Sequence, residues 1–246
     1  YAPFRAERLA ASLGASTPPD LKETYSAGPF DLPPAALDLA ADDSAAFVYS
    51  PNLWPAELPG MRSAFEAYYR AQAALTERVL ALMAGGLGLP DTYFAPFVDV
   101  HTSALRALRY PDLNVLGGVE PEPGQLRAGA HTDYGTLTLL RQDDAPGGLE
   151  VRGTDGAWHA VPAVDGAFVV NVGDALERWS NDRWRSTLHR VVVPPADAGR
   201  GTQRQSTAFF HNANWDAVIE PIGENPKYAP ITAGQHLMSK FRATQY

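Results

Sequence analysis

A histidine and an aspartate two positions apart open the segment HTDYGTLTLL, residues 131–140. Residues i and i+2 of an extended chain project to one face, so His131 and Asp133 can converge on a point while Leu137 and Leu139 face a core. A convergent imidazole and carboxylate can ligate a metal. Alone, the pair reads more simply as a polar strand start, with Asp133 capping a turn and His131 merely hydrogen-bonded. A third ligand would decide between these readings. The six histidines stand at 101, 131, 159, 189, 211 and 236, and there is no cysteine, so any metal must be held by nitrogen and oxygen. His189 opens the apolar run HRVVV and so also sits where a strand begins, at a place where the rim of a barrel brings distant segments together. Two histidines and one carboxylate leave coordination positions free, an arrangement suited to non-haem Fe(II) and oxygen chemistry. A zinc hydrolase that activates water is the rival from another class, without its usual H-E-x-x-H signature. His159 on a hairpin, His101 and His236 read as structural or solvent-exposed. His211 closes the run STAFFH, and with Phe209 it is a candidate for a substrate pocket.

The elements that must position these groups are legible in part. From about Glu57 to Met83 apolar residues recur at helical spacing (Met61, Phe65, Tyr68, Tyr69, Leu75, Val79, Leu82, Met83), interrupted by Gln72 and stopped by Gly85-Gly86. This predicts a long amphipathic helix, about 57–84. Beyond Pro90 the texture turns to short runs between Gly, Pro and Asp: 105–110, 135–141, 149–151, 158–161, 167–172, 189–193 and 205–211. Such spacing predicts a sandwich or barrel. Asp155-Gly156 is a hairpin signal, and 177–184 reads as a short helix or irregular turn. Residues 1–57 read as loops with one short helix near Phe4 to Leu13.

Composition removes some classes of function. The 246 residues carry a formal charge of -8, which argues against nucleic acid as a partner, since phosphate neutralisation needs clustered Lys and Arg. No apolar run approaches a membrane span and no signal peptide is visible, which fits a cytoplasmic protein with no membrane partner. The chain opens at Tyr1 without a methionine. No linker divides it, so a single domain over 1–246 is expected, and its oligomeric state is not legible.

In order along the chain, LRALRYP at 105–111, GAHTDYGTLTLL at 129–140, FVVNVGDALERWSNDRWRSTLHRV at 168–191 and RQS at 204–206 carry a resemblance to a family. The chain resembles the isopenicillin N synthase-like branch of the Fe(II)- and 2-oxoglutarate-dependent oxygenases. That resemblance implies a mainly β fold with flanking helices, a double-stranded β-helix or jelly-roll over about 90–222, backed by the long helix. It implies His131, Asp133 and His189 as iron ligands, with Arg204, Ser206 and Tyr110 binding the distal carboxylate of 2-oxoglutarate. Leu108 stands where plant relatives often have asparagine. The implied activity is a dioxygenase using O2 and 2-oxoglutarate to oxidise, most simply to hydroxylate, a small organic metabolite with release of succinate and CO2. The alternative within the family is an isopenicillin N synthase-like oxidase without 2-oxoglutarate, in which R-x-S would hold a substrate carboxylate and Gln245 could be an extra iron ligand. Asn171 and Asp174 read as structural, around a tight turn at Gly173. Members of the family carry several tens of residues more at the N-terminus.

Overall fold

The structure, a computed structural model, describes residues 1–32, 43–114, 120–198 and 201–244; Gln245 lies outside them. Its strands are β1 (Glu23–Ala27), β2 (Ala104–Tyr110), β3 (Ala128–His131), β4 (Leu137–Gln142), β5 (Leu149–Arg152), β6 (Trp158–Ala160), β7 (Val169–Val172), β8 (His189–Val191), β9 (Arg204–His211), β10 (Val218–Ile219) and β11 (Ile231–Thr232). The helices are α1 (Asp43–Tyr49), α2 (Met61–Gly86), α3 (Asp174–Trp179) and α4 (Ala233–Thr244). Antiparallel pairing gives a major sheet in the order β1-β2-β9-β4-β7 and a minor sheet in the order β3-β8-β5-β6, with β10 and β11 as a small separate ladder.

Three layers follow from where the apolar side chains go. Tyr110, Leu140 and Val169 of the major sheet meet Ala128, Leu149 and Val191 of the minor sheet, a core between the two sheets. On the other face of the major sheet, Leu105, Leu139 and Phe209 pack against Tyr69 of α2. Further along, Leu80 and Ala84 of α2 meet Leu137 and the α3 residues Leu176 and Trp179. Directly opposed residues of an antiparallel pair share a face. The registers Ser206 with Leu108, Phe210 with Thr138, and Thr138 with Asn171 therefore put all of these, and Arg204, on the inner face between the sheets.

Several sequence expectations shift against this frame. The helix runs over Met61–Gly86 and buries Tyr69, Gln72, Thr76, Leu80 and Ala84, while Leu82 is 78% exposed. Its buried stripe is thus rotated from the most apolar positions, and Gln72 belongs to it. Residues before 57 contribute an edge strand, β1, paired along β2, where loops were expected, and only a 3-10 turn over Leu9–Leu13 stands in place of the helix near Phe4 to Leu13. The sheet therefore draws on residues outside 90–222. The hairpin at Asp155-Gly156 is present between β5 and β6, with Gly156 at φ 79. Among the described residues no helix is long and apolar enough to cross a membrane.

Candidate functional site

His131 is the last residue of β3 and His189 the first of β8, and the two are directly opposed in an antiparallel pair. Asp133 lies beyond the end of β3 in the connection to β4, so the convergence does not come from the alternation of a single strand. It comes from a turn. Asp174 N–H donates to the Asp133 carbonyl at 2.7 Å, and Ala175 N–H donates to that of Gly135 at 3.0 Å, so the first turn of α3 holds the 133–135 connection. The close approach requires glycines: a Cβ on Gly173 would collide with the Gly135 carbonyl oxygen, and one on Gly135 with that of His211.

Ligand atoms of His131, Asp133 and His189 all lie within 4.8 Å of one another. The Nε2 atoms of His131 and His189 stand 3.9 and 3.6 Å from Asp133 Oδ1. His131 Nδ1 faces the Gly129 carbonyl at 2.7 Å and His189 Nδ1 the Thr187 carbonyl at 3.0 Å. A carbonyl only accepts, so each Nδ1 carries the proton and each Nε2 presents a lone pair. The other carboxylate oxygen, Asp133 Oδ2, accepts from Thr138 Oγ1 at 2.6 Å and Asn171 Nδ2 at 2.7 Å, which leaves Oδ1 turned toward the two Nε2 atoms. Burial opposes ionisation of Asp133, but the two imidazoles, Asn171 and Thr138 outweigh it and hold its carboxyl below the usual range. Burial, then the neighbouring His189, lowers His131 to about 3 despite Asp133. Three ligand atoms thus face one point, which fits a divalent cation taking nitrogen and oxygen ligands.

On the same inner face, at the far end of β9, Arg204 is 1% exposed. Its Nη2 donates to Gln142 Oε1 at 2.6 Å, its Nη1 lies 3.5 Å from Ser206 Oγ, and its Nε has no hydrogen-bond partner among the described residues. The guanidinium sits 4.9 Å from the centroid of the buried Tyr110 ring. A second buried guanidinium, Arg127, lies 6.0 Å from the same centroid and is spent on the carbonyls of Pro146, Gly147 and Thr202. Burial and then Arg204 lower Arg127 to about 10. Among the described residues neither arginine has a carboxylate within ion-pair distance. Two neighbouring buried cations without a counter-ion make an anion pocket.

The other expected residues fall elsewhere. Phe209 and His211 lie on the opposite face of β9, each 0% exposed, with Phe209 packed against Tyr69 of α2 and His211 beside His101. His211 Nδ1 pairs with Thr136 Oγ1 at 2.6 Å. His101 stacks on Tyr69, His236 Nε2 bonds the Tyr134 carbonyl, and His159 pairs on the surface with Asp155. Sequence reasoning missed Thr138, Gln142 and Arg127, and took Asn171 as support for a turn when it grips Asp133. The signal was available for two of them: Thr138 and Asn171 alternate with the apolar residues of β4 and β7.

A jelly-roll whose rim gathers two histidines and a carboxylate, with a buried anion pocket on the same inner face, defines a class of non-haem metal oxygenases. The family model of the 2OG-Fe(II) oxygenase superfamily matches residues 102–213. The chain is 36% identical to a proline hydroxylase of Petromyces alliaceus, over 92% of this chain and 69% of that protein. It is 33% identical to the validamycin A dioxygenase of Streptomyces hygroscopicus subsp. limoneus, over 92% of this chain but only 61% of that protein's length. A full-length Neurospora crassa protein solved with alpha-KG and thymine superposes with a TM-score of 0.76 at 37% identity, over 92% of this chain and 66% of that one. The chain belongs to the 2OG-Fe(II) oxygenase superfamily.

Proposed function

We propose that this chain is the catalytic part of a 2-oxoglutarate-dependent dioxygenase that hydroxylates a small organic metabolite. In this reading His131, Asp133 and His189 hold Fe(II), and Arg204, Ser206 and Tyr110 receive the distal carboxylate of 2-oxoglutarate. The observation that carries it is the buried Arg204, without a carboxylate partner among the described residues, on the same barrel face as three converging lone-pair donors. Bound together, iron, O2 and 2-oxoglutarate supply the oxidising chemistry: the cosubstrate ends as succinate and CO2, and one oxygen atom enters the substrate.

The residues of the chain supply geometry. Asn171 and Thr138 fix which oxygen Asp133 presents, and the Gly129 and Thr187 carbonyls fix the histidine tautomers. A guanidinium offers a planar fork to a carboxylate, and Ser206 adds a hydroxyl beside it. Gln142 braces that fork, being held in turn through the Val161 carbonyl. A zinc hydrolase would use the triad but would leave the anion pocket without a purpose. Small-molecule partners are supported by the relatives, among them the Neurospora crassa structure with thymine. The test is oxygen uptake and succinate release by the Fe(II)-loaded protein. Both should require 2-oxoglutarate and run slowly even without the true substrate; hydrolytic activity supported by zinc, with no succinate formed, would contradict the proposal.

A further inference from the structure

Beyond the metal and cosubstrate groups, the inner face of the major sheet carries, among the described residues, a further cation that is not fully satisfied. Arg106 lies on β2 opposite Ala208, two residues from Leu108, which faces Ser206, so its side chain shares the inner face. Its guanidinium sits 5.6 Å from the centroid of the Phe210 ring. Phe210 is paired in register with Thr138, whose hydroxyl binds Asp133. Arg106 and Phe210 therefore mark the metal end of the barrel, whereas Arg204 marks the other end, six residues and about 20 Å away along β9. They are no part of the anchor for 2-oxoglutarate.

The charge around Arg106 is underused. Its Nε donates to Ser26 Oγ at 2.9 Å and its Nη1 reaches Glu7 Oε1 at only 3.4 Å, while Nη2 has no partner among the described residues. Glu7 is shared, since buried Lys22 lies 3.2 Å from its other oxygen. Lys22 is also held by Asp20 at 3.1 Å. The Arg106 side chain retains 26% exposure, and the Phe210 side is partly open as well.

Resting on the functional reading above, we propose that Arg106 and Phe210 select the substrate: a compact metabolite that turns an acceptor-oxygen edge to the Arg106 guanidinium and a flat or apolar face to the Phe210 ring. The edge is a carboxylate or the conjugated carbonyl of a ring. An incoming oxygen would complete the Arg106 fork and displace its long contact to Glu7, and the ring would bury the apolar body beside the metal.

The test is calorimetric binding, without oxygen, to the protein loaded with Fe(II) and 2-oxoglutarate. The probes are benzoate for the carboxylate, uracil for the carbonyl edge and toluene for a flat body without oxygen. At least one oxygen-bearing probe should bind more tightly than toluene, and which one does so separates the two edges. Arg106→Gln should weaken it by about tenfold or more, and Glu7→Gln should tighten it by freeing the guanidinium. Affinity for 2-oxoglutarate should stay unchanged in both variants. Probe affinity indifferent to Arg106→Gln, or no preference over toluene, would overturn the proposal. So would parallel loss of 2-oxoglutarate binding in Arg106→Gln, which would make Arg106 a prop of the barrel. Failure of the wild-type protein to bind 2-oxoglutarate would instead count against the functional reading, and the probes are then read with Fe(II) alone.

Discussion

Asp133 has two oxygens and two duties, and the side chains behind it decide which oxygen meets the metal site. Because Asn171 and Thr138 both donate to Oδ2, Asn171→Ala should leave the carboxylate free to rotate. We expect Fe(II) or Mn(II) affinity to fall about 10- to 100-fold with the fold intact, measured by metal titration with circular dichroism as control. Unchanged affinity would mean that Thr138 alone suffices. Phe209 and Phe210, neighbours in sequence, should part company. Phe209→Ala empties the fully buried site against α2 and should cost about 3–5 kcal/mol in urea unfolding. Phe210→Ala, on the partly exposed inner face, should cost clearly less. The residues of the candidate metal site were legible because H-x-D, weak by itself, stands in an ordered set of motifs with a distant strand-opening histidine. Asn171 and Arg127 were not, because polar residues in strands have many uses and only the fold shows which group each one faces.

The elements that carry the site are short, and turns place the ligands as much as strands do. HTDYGTLTLL reads as one alternating strand, yet the chain breaks after His131 and resumes at Leu137. The reason lies in the backbone hydrogen bonds, because residues 133–135 are taken up by the start of α3 and by close contact with Gly173. Local sequence carries no trace of a partner that arrives some forty residues later. Gly135→Ala should therefore strain two segments together, since its Cβ would meet the His211 carbonyl. We expect a loss of about 1–3 kcal/mol together with weakened metal binding, read by thermal unfolding and metal titration on the same sample. The long helix was legible from its period, whereas its buried face was not: packing on the sheet buries Gln72 and leaves Leu82 out, a choice made by the partner surface. Edge strand β1 was missed because ETYSA has few apolar residues and borrows its order from β2.

For the whole molecule, burial of neutral histidines ties stability to pH. Burial lowers His101 to about 4, and burial with Lys240 lowers His236 to about 4, both from an ordinary 6.5. The folded protein keeps them neutral while the unfolded chain protonates them, so unfolding takes up protons. Their contribution is complete above about pH 6.5 and is lost as pH falls toward 4. By pH 5 each should have given up on the order of 1–2 kcal/mol, seen as a lower urea midpoint than at pH 7.5; a midpoint flat between these pH values would contradict the burial of both. The central claim joins the two ends of one barrel face: a metal at His131, Asp133 and His189, and a carboxylate at Arg204. It is tested most directly by anaerobic calorimetric titration of 2-oxoglutarate into Fe(II)-loaded wild-type, Arg204→Lys and His131→Ala proteins. Tight binding by the wild type should fall about tenfold or more in Arg204→Lys with iron still bound, because lysine keeps the charge and loses the fork. It should weaken in His131→Ala together with the iron. Binding of 2-oxoglutarate with equal affinity by all three proteins would contradict the account.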